Sequence, residues 1–271
     1  ADLARGLLSD DRWVKELIRS AGDELRRDPF FVPHFPAINS DINSGLLVFD
    51  DEDLSIAAGV AGASQVAAKK HSAARGSISF TGQIDLLRIV KGAGVELSFW
   101  EAPRIDADFT ASEAGRCVRT GSRQLRDGEL LVVDGRHQSY VIEHAASDLL
   151  VLQASVKRDR APLSVEYDAV TREFVGCSAT DDGASRIQLI TTLLRKMNCD
   201  EAFEVIAEFL DDPHFFVRWH VMRELLGFDA VAALPHLCRL ASGDPHPEVR
   251  RAAGAVLARI RLQNPALGKA A

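Results

Sequence analysis

Two stretches of this chain repeat each other at an offset of 32 residues. Asp212-Pro213-His214 is followed by Val217-Arg218, and Asp244-Pro245-His246 by Val249-Arg250. One more step of the same length back from Arg218 reaches Arg186, and the step also links Leu193, Leu225 and Leu257. A fixed period of this size implies stacked helix pairs, since one pair cannot bury its apolar stripe alone and does so against its neighbours. From about Thr180 the apolar period is 3.6, and the rest of the chain reads as five helices.

The residue types suit helix ends. Asp212 and Asp244 are placed to cap a helix start, with Pro213 and Pro245 in its first turn. Arg186, Arg218 and Arg250 stack on successive first helices, each able to bond a neighbouring Asp or backbone carbonyls. Phe215, Phe216, Trp219 and Met222 follow helical spacing and read as core. His214 and His246 read as first-turn residues and not as metal ligands. From Arg239 to Ala271 there are six Lys or Arg against two Asp or Glu, a net of +4. Arg251, Arg259 and Arg261 in this stretch form either a solvated helix face or a surface for an acidic partner.

The pattern D-P-x-x-x-V-R, with a Leu further along the same helix, resembles the HEAT repeat over about Thr180 to Gln263. The first copy departs from it: Ser185 stands in place of the Val, and the Asp-Pro pair is missing. The resemblance implies a protein partner held through the helical repeats.

Upstream the texture is different. Leu7, Val14, Leu17, Ile18, Ala21 and Leu25 predict one amphipathic helix from about Asp10 to Arg27, ended by Asp28-Pro29. The proline-rich segment that follows reads as irregular. From Gly45 onward, short strand-like runs are separated by turn signals at Asp50 to Asp53, Lys91 to Gly94, Asp127-Gly128 and Asp134-Gly135. A last hairpin turns near Ala169-Val170. Such spacing indicates a β-sandwich or barrel. In VELSFWEA the alternation puts Val95, Leu97 and Phe99 on one face, and Glu96, Ser98, Trp100 and Ala102 on the other.

The stretch from about Gly76 to Val156 resembles a cupin, a small jelly roll. Gly94 to Phe99 is similar to the glycine-led strand of that family's first motif. Trp100 and Ala102 then stand where metal-binding cupins carry two histidines, Asp106 falls near the carboxylate ligand and Gly115 near the closing glycine. Gly128 to His137 resembles the second motif, with Asp134 where a proline is usual and His137 one or two residues early. A catalytic metal needs about three converging protein ligands, and neither Trp100 nor Ala102 can supply one. The β-segment contains no H-x-H or H-x-D/E spacing. The expectation is therefore no metal; if one is held, its ligands are His137 and Asp106, or a rebuilt set of His137 with His71, His144 or Glu101. Trp100 is expected to face inward. There, Glu96, Ser98, Trp100, Arg119 and His137 line a small ligand pocket, with Arg123 sharing the parity of Arg119, or else the indole plugs the barrel.

Composition narrows the class further. Lys plus Arg is 32 and Asp plus Glu is 39, giving a net charge of −7, which disfavours a nucleic-acid partner. The four cysteines form no C-x-x-C pair, so a zinc knuckle is not expected and reduced thiols in a cytoplasmic protein are. No run approaches ~18 apolar residues, so neither a membrane span nor a signal peptide is expected. No P-loop or nucleophile elbow is present.

The sequence thus predicts an α+β multidomain chain. It has an N-terminal helix and extension over 1–40, a cupin-like antiparallel β-sandwich or barrel over 41–179, and HEAT-like helical repeats over 180–271. The expected function is non-catalytic: ligand sensing in the barrel or scaffolding, without a cofactor and with homodimers by analogy to cupins. The alternative is a metal-dependent oxygenase or isomerase with one divalent transition metal around His137.

Overall fold

The computed structural model of the chain describes residues 2–32, 34–39, 43–64, 76–92 and 94–263; His71 lies outside them. The chain divides into two compact units, Ala1–Thr180 and Asp181–Ala271.

The first unit opens with two helices, α1 (Asp2–Ser9) and α2 (Arg12–Arg27), where the apolar spacing predicts one. The break has a local cause. Asp10 accepts from the Arg12 backbone N–H (3.0 Å) and from its guanidinium (2.6 Å), a turn that competes with helix. Both helices bury Ala4, Leu8 and Val14 on the β-sheet. The proline-rich segment contains a strand, β1 (Ala37–Asn39), which pairs antiparallel with β2 (Asn43–Asp50). The N-terminal forty residues are therefore part of the β-unit.

Strands β3 (Leu54–Ala61), β4 (Ser77–Phe80), β5 (Ile84–Lys91), β6 (Val95–Glu101), β7 (Val118–Leu125), β8 (Leu130–Asp134), β9 (Gln138–Ala145), β10 (Leu149–Val156), β11 (Leu163–Asp168) and β12 (Phe174–Ala179) follow. One sheet has the order β1-β2-β3-β10-β5-β8. The other side is β12-β11-β4 and β9-β6-β7, with β4 running beside β9. There the Ser139 hydroxyl donates to the Ser79 carbonyl at 2.5 Å. The inner four-strand orders, β3-β10-β5-β8 and β4-β9-β6-β7, place successive strands in alternate layers except for β6 and β7, which pair as a hairpin within one layer. That is the connectivity of a jelly roll.

The turns follow the sequence signals. Asp51 Oδ1 accepts the N–H groups of Asp53 and Leu54 between β2 and β3. Asp168 Oδ1 accepts those of Val170 and Thr171 between β11 and β12. Apolar residues of β5, β8 and β10 pack against Val95, Leu97 and Leu125 to form the inner core.

The second unit is helical: α3 (Asp182–Lys196), α4 (Phe203–Ala207), α5 (Phe215–Phe228), α6 (Ala230–Gly243) and α7 (Pro247–Gln263). Arg218 is 6% exposed. Its Nη1 donates to the carbonyls of Asp212 and Pro213, and its Nε and Nη2 grip Asp244, one repeat on, at 2.8 and 2.7 Å. Arg250 repeats the first half of this arrangement, on the carbonyls of Asp244 and Pro245.

Three expectations need correction. Asp212 and Asp244 do not cap the helices. Each accepts the backbone N–H two residues on (2.8 Å), so the chain makes a turn there and the helix begins later, at Phe215 or Pro247. Arg186 is exposed with no partner among the described residues, because Asp212 bonds His214 instead. Leu193 is 52% exposed although Leu225 and Leu257 are buried.

Candidate functional site

The β-unit contains a small cavity of about 30 Å³, bordered by Leu87, Ile89, Leu97, Val151, Tyr140 and Gln153 among others. This is room for one or two waters. The expected pocket residues are elsewhere. Val95 and Leu97 face the cavity, so Glu96, Ser98 and Trp100 lie on the opposite face of β6. Trp100 is 8% exposed; its indole N–H donates to Ser98 Oγ (3.0 Å), and the Arg172 guanidinium lies 5.9 Å from its ring centre. Arg119 pairs in register with Trp100 but is exposed, as is Arg123. None of Glu96, Ser98, Trp100, Arg119 and His137 borders this cavity. An irregularity in the pairing at Phe99/Trp100 displaces the strand where the expected pocket would begin.

His137 lies in the β8–β9 turn. Its Nδ1 is buried with no hydrogen-bond partner, and the nearest carboxylate, Asp134, stands off at 3.6 Å. Asp134 is held by Arg136 through two contacts of 2.7 Å, which keep its carboxyl below the usual range, and Arg104 approaches to 3.8 Å. Asp106 is exposed, and its carboxylate closes its own turn on Asp108 N–H. His144 and Glu101 are exposed strand residues. This donor set does not fit a resident transition metal. A cation beside His137 would face two guanidiniums, and Asp134 is already committed to one of them. Among the described residues no group of three or more His, Cys, Asp or Glu side chains is arranged to hold a metal.

One buried polar cluster escaped the sequence. Asp85 of β5 is 4% exposed within the apolar pattern of IDLLRIV. Its carboxyl accepts from Thr81 (2.5 Å) and from Ser155 of β10 (2.6 Å). Burial pushes its pKa above the ordinary value, partly offset by hydrogen bonds from Ser155, Thr81 and Gln153. Burial and the nearby Asp85 charge raise the Tyr140 phenol as well. No spacing rule announces such a residue; only the register Ser155↔Asp85 shows that both polar side chains meet.

A carboxyl whose folded pKa is raised binds its proton more readily when folded. Its destabilising effect grows as pH rises from the unfolded value through the folded one. Asp85→Asn is therefore expected to raise the neutral-pH stability of the β-unit by about 1 kcal/mol, since the flanking hydroxyls can turn to accept from the amide. Thermal melts should show the gain widening from pH 4 to pH 8. A loss at every pH would mean that the ionised carboxylate is the form the fold requires.

On the helical unit, Arg251, Arg259 and Arg261 are exposed along α7. Arg251 lies 3.4 Å from Glu248, while Arg259 and Arg261 have no carboxylate partner among the described residues.

Residues 177–258 match the family model of HEAT repeats. No curated protein matches the chain. Solved structures similar to it include three proteins. A cupin domain from Bordetella pertussis Tohama I is 11% identical, with 44% of this chain and 98% of that one covered at a TM-score of 0.27. An RmlC-like cupin from Shewanella frigidimarina is 10% identical, with 47% and 87% covered at 0.29. Ectoine synthase from P. lautus is 10% identical, with 45% and 68% covered at 0.28. Among the described residues no helix is long and apolar enough to cross a membrane.

Proposed function

We propose that this chain is a non-catalytic scaffold whose HEAT-like helices dock an acidic protein partner along α7, with the jelly roll as a packed support. The observation that carries the proposal is on α7, where Arg259 and Arg261 are exposed and have no carboxylate partner among the described residues. In a chain of net charge −7, such a local excess of cations attracts acidic surfaces. The small volume of the cavity bordered by Leu87, Leu97 and Tyr140, about 30 Å³, supports a packing role for that part of the sandwich. The guanidiniums of Arg104 and Arg136 on Asp134, the carboxylate nearest His137, disfavour the metal-dependent alternative.

A labelled glutamate-rich peptide titrated into the full chain tests the proposal. Binding should weaken with added salt, and Arg251→Gln, Arg259→Gln and Arg261→Gln combined should weaken it roughly tenfold or more at low salt. Equal binding by the triple variant would place the partner surface elsewhere. Stoichiometric retention of a transition metal that His137→Ala abolishes would replace the scaffold with the enzyme alternative.

A further inference from the structure

The stack contains its own example of how its arginines bind carboxylates across a repeat boundary, and it does so twice. Arg218 reaches forward to Asp244, in the loop before the next first-layer helix. Arg195 of α3 reaches forward to Glu224 on α5, which also accepts from Thr192 (3.1 Å). In both cases the cation belongs to one repeat and the carboxylate to the following one. Space is made for the second: a Cβ on Gly227 would come within 2.6 Å of the Arg195 side chain.

One step of 32 from Arg218 is Arg250, and two steps from Arg195 is Arg259. Both lie on α7. Arg250 already has Nη1 fixed on the carbonyls of Asp244 and Pro245, as Arg218 has on Asp212 and Pro213. Its Nε and Nη2, the atoms with which Arg218 holds a carboxylate, have no partner among the described residues. Arg259 likewise has none among them.

We infer that α7 presents a two-point carboxylate receptor for a helix of a partner protein that stacks as a further repeat would. Arg250 takes a carboxylate in the loop just before the partner helix, in a bidentate fork. Arg259 takes a glutamate further along that helix. The spacing is taken from the second repeat, where the loop Asp212, bonded in this chain to His214, and the helix Glu224, held by Arg195, are twelve positions apart. Besides the exposed Arg251, the stretch of α7 between the two cations presents Ala252, Ala255 and Val256, partly or fully exposed, small side chains that suit close helix packing. This inference rests on the proposed acidic partner and adds its shape and the spacing of its charges.

The test uses the full chain and a synthetic helical peptide that opens with Asp-Pro and carries a Glu twelve positions after the Asp. Its Asp→Asn and Glu→Gln versions are compared against Arg250→Gln and Arg259→Gln in double-mutant cycles. Each single change should weaken binding about fivefold or more. Arg250 should couple only to the peptide's Asp, and Arg259 only to its Glu. Arg250→Lys keeps the charge but loses the fork and should behave like Arg250→Gln. Circular dichroism of each variant separates lost binding from lost folding. Because Arg250 also holds two carbonyls, an unfolded Arg250→Gln would leave the decision to Arg250→Lys and to Arg259→Gln. Binding that depends only on total charge, with no crossed coupling, overturns the receptor and leaves the acidic partner standing. Failure of every acidic peptide to bind overturns both, as does assembly of the chain with itself through α7.

Discussion

Arg218→Ala is expected to destabilise the helical unit by about 3–5 kcal/mol. Asp244 has a fully buried side chain, and Arg218 supplies both of its charged contacts, at 2.7 and 2.8 Å. Removing the guanidinium strands the carboxylate in the interior and also frees the carbonyls of Asp212 and Pro213. Replacing both partners, with Arg218→Met and Asp244→Leu, should recover most of the loss, because the stranded charge and not the absent pair is the main penalty. Recovery will be incomplete by about 1 kcal/mol, since Asp244 also accepts the His246 backbone N–H. Trp219 is the one tryptophan of the helical unit, so urea denaturation followed by its fluorescence, with Trp13 and Trp100 replaced by Phe, reports this unit alone. A loss below about 1 kcal/mol would indicate a hydrated, exchangeable pair.

The same pair gives a pH dependence. Burial pushes the Asp244 carboxyl up, but bonds from Arg218 and the His246 N–H outweigh it, and the net position is below the ordinary value. A depressed carboxyl contributes stability that is complete above its unfolded pKa and lost as pH falls through the folded one. His220 adds an earlier acid loss. Burial depresses it against the opposing pull of Glu224, so the native state resists a proton that the unfolded chain accepts below about pH 6.5.

The second large effect belongs to Trp100. Trp100→Ala is expected to cost the β-unit about 3–5 kcal/mol, the usual range for deleting a buried indole. It also leaves the fully buried Ser98 hydroxyl without its donor. Glu96→Ala and Arg119→Ala, on the partly exposed and exposed neighbours, should stay within about 0.5 kcal/mol. Thermal melts of the three variants separate a packing role from a pocket role. A ligand-facing indole would lose little stability on truncation.

The repeat was legible because its chemistry is local and periodic. Asp-Pro, Val and Arg recur at one spacing, and the structure places Arg218 and Asp244 across a repeat boundary as that spacing implies. The strands and their turns were legible for a similar reason, since Asp51 and Asp168 fold turns by hydrogen bonds only two or three residues long. Strand facing was read as strict alternation, whereas in β6 Leu97 and Ser98 are both fully buried and the pairing shifts at Phe99/Trp100. Trp100 was expected in the interior because its position resembles that of a ligand in a known motif, whereas the cavity belongs to Val95 and Leu97. Inward and outward are settled by the opposite sheet, which strand-local alternation does not contain. Asp85 illustrates the same limit, since its partners Ser155 and Gln153 lie about seventy positions away in sequence. Arg186 and Leu193 mark the reverse case, a repeat rule that fails at the first helix of the stack.

Strand β7 has a consequence for solubility. It is the edge of its sheet, and all of its residues except Leu125 are exposed. Free strand edges template fibrils, and natural sequences guard them with cations. Arg119 and Arg123 occupy that role here: a second strand zippering onto β7 would have to strip water from both guanidiniums. Neutralising them should turn a guarded edge into an aggregation seed while leaving the folded sandwich intact.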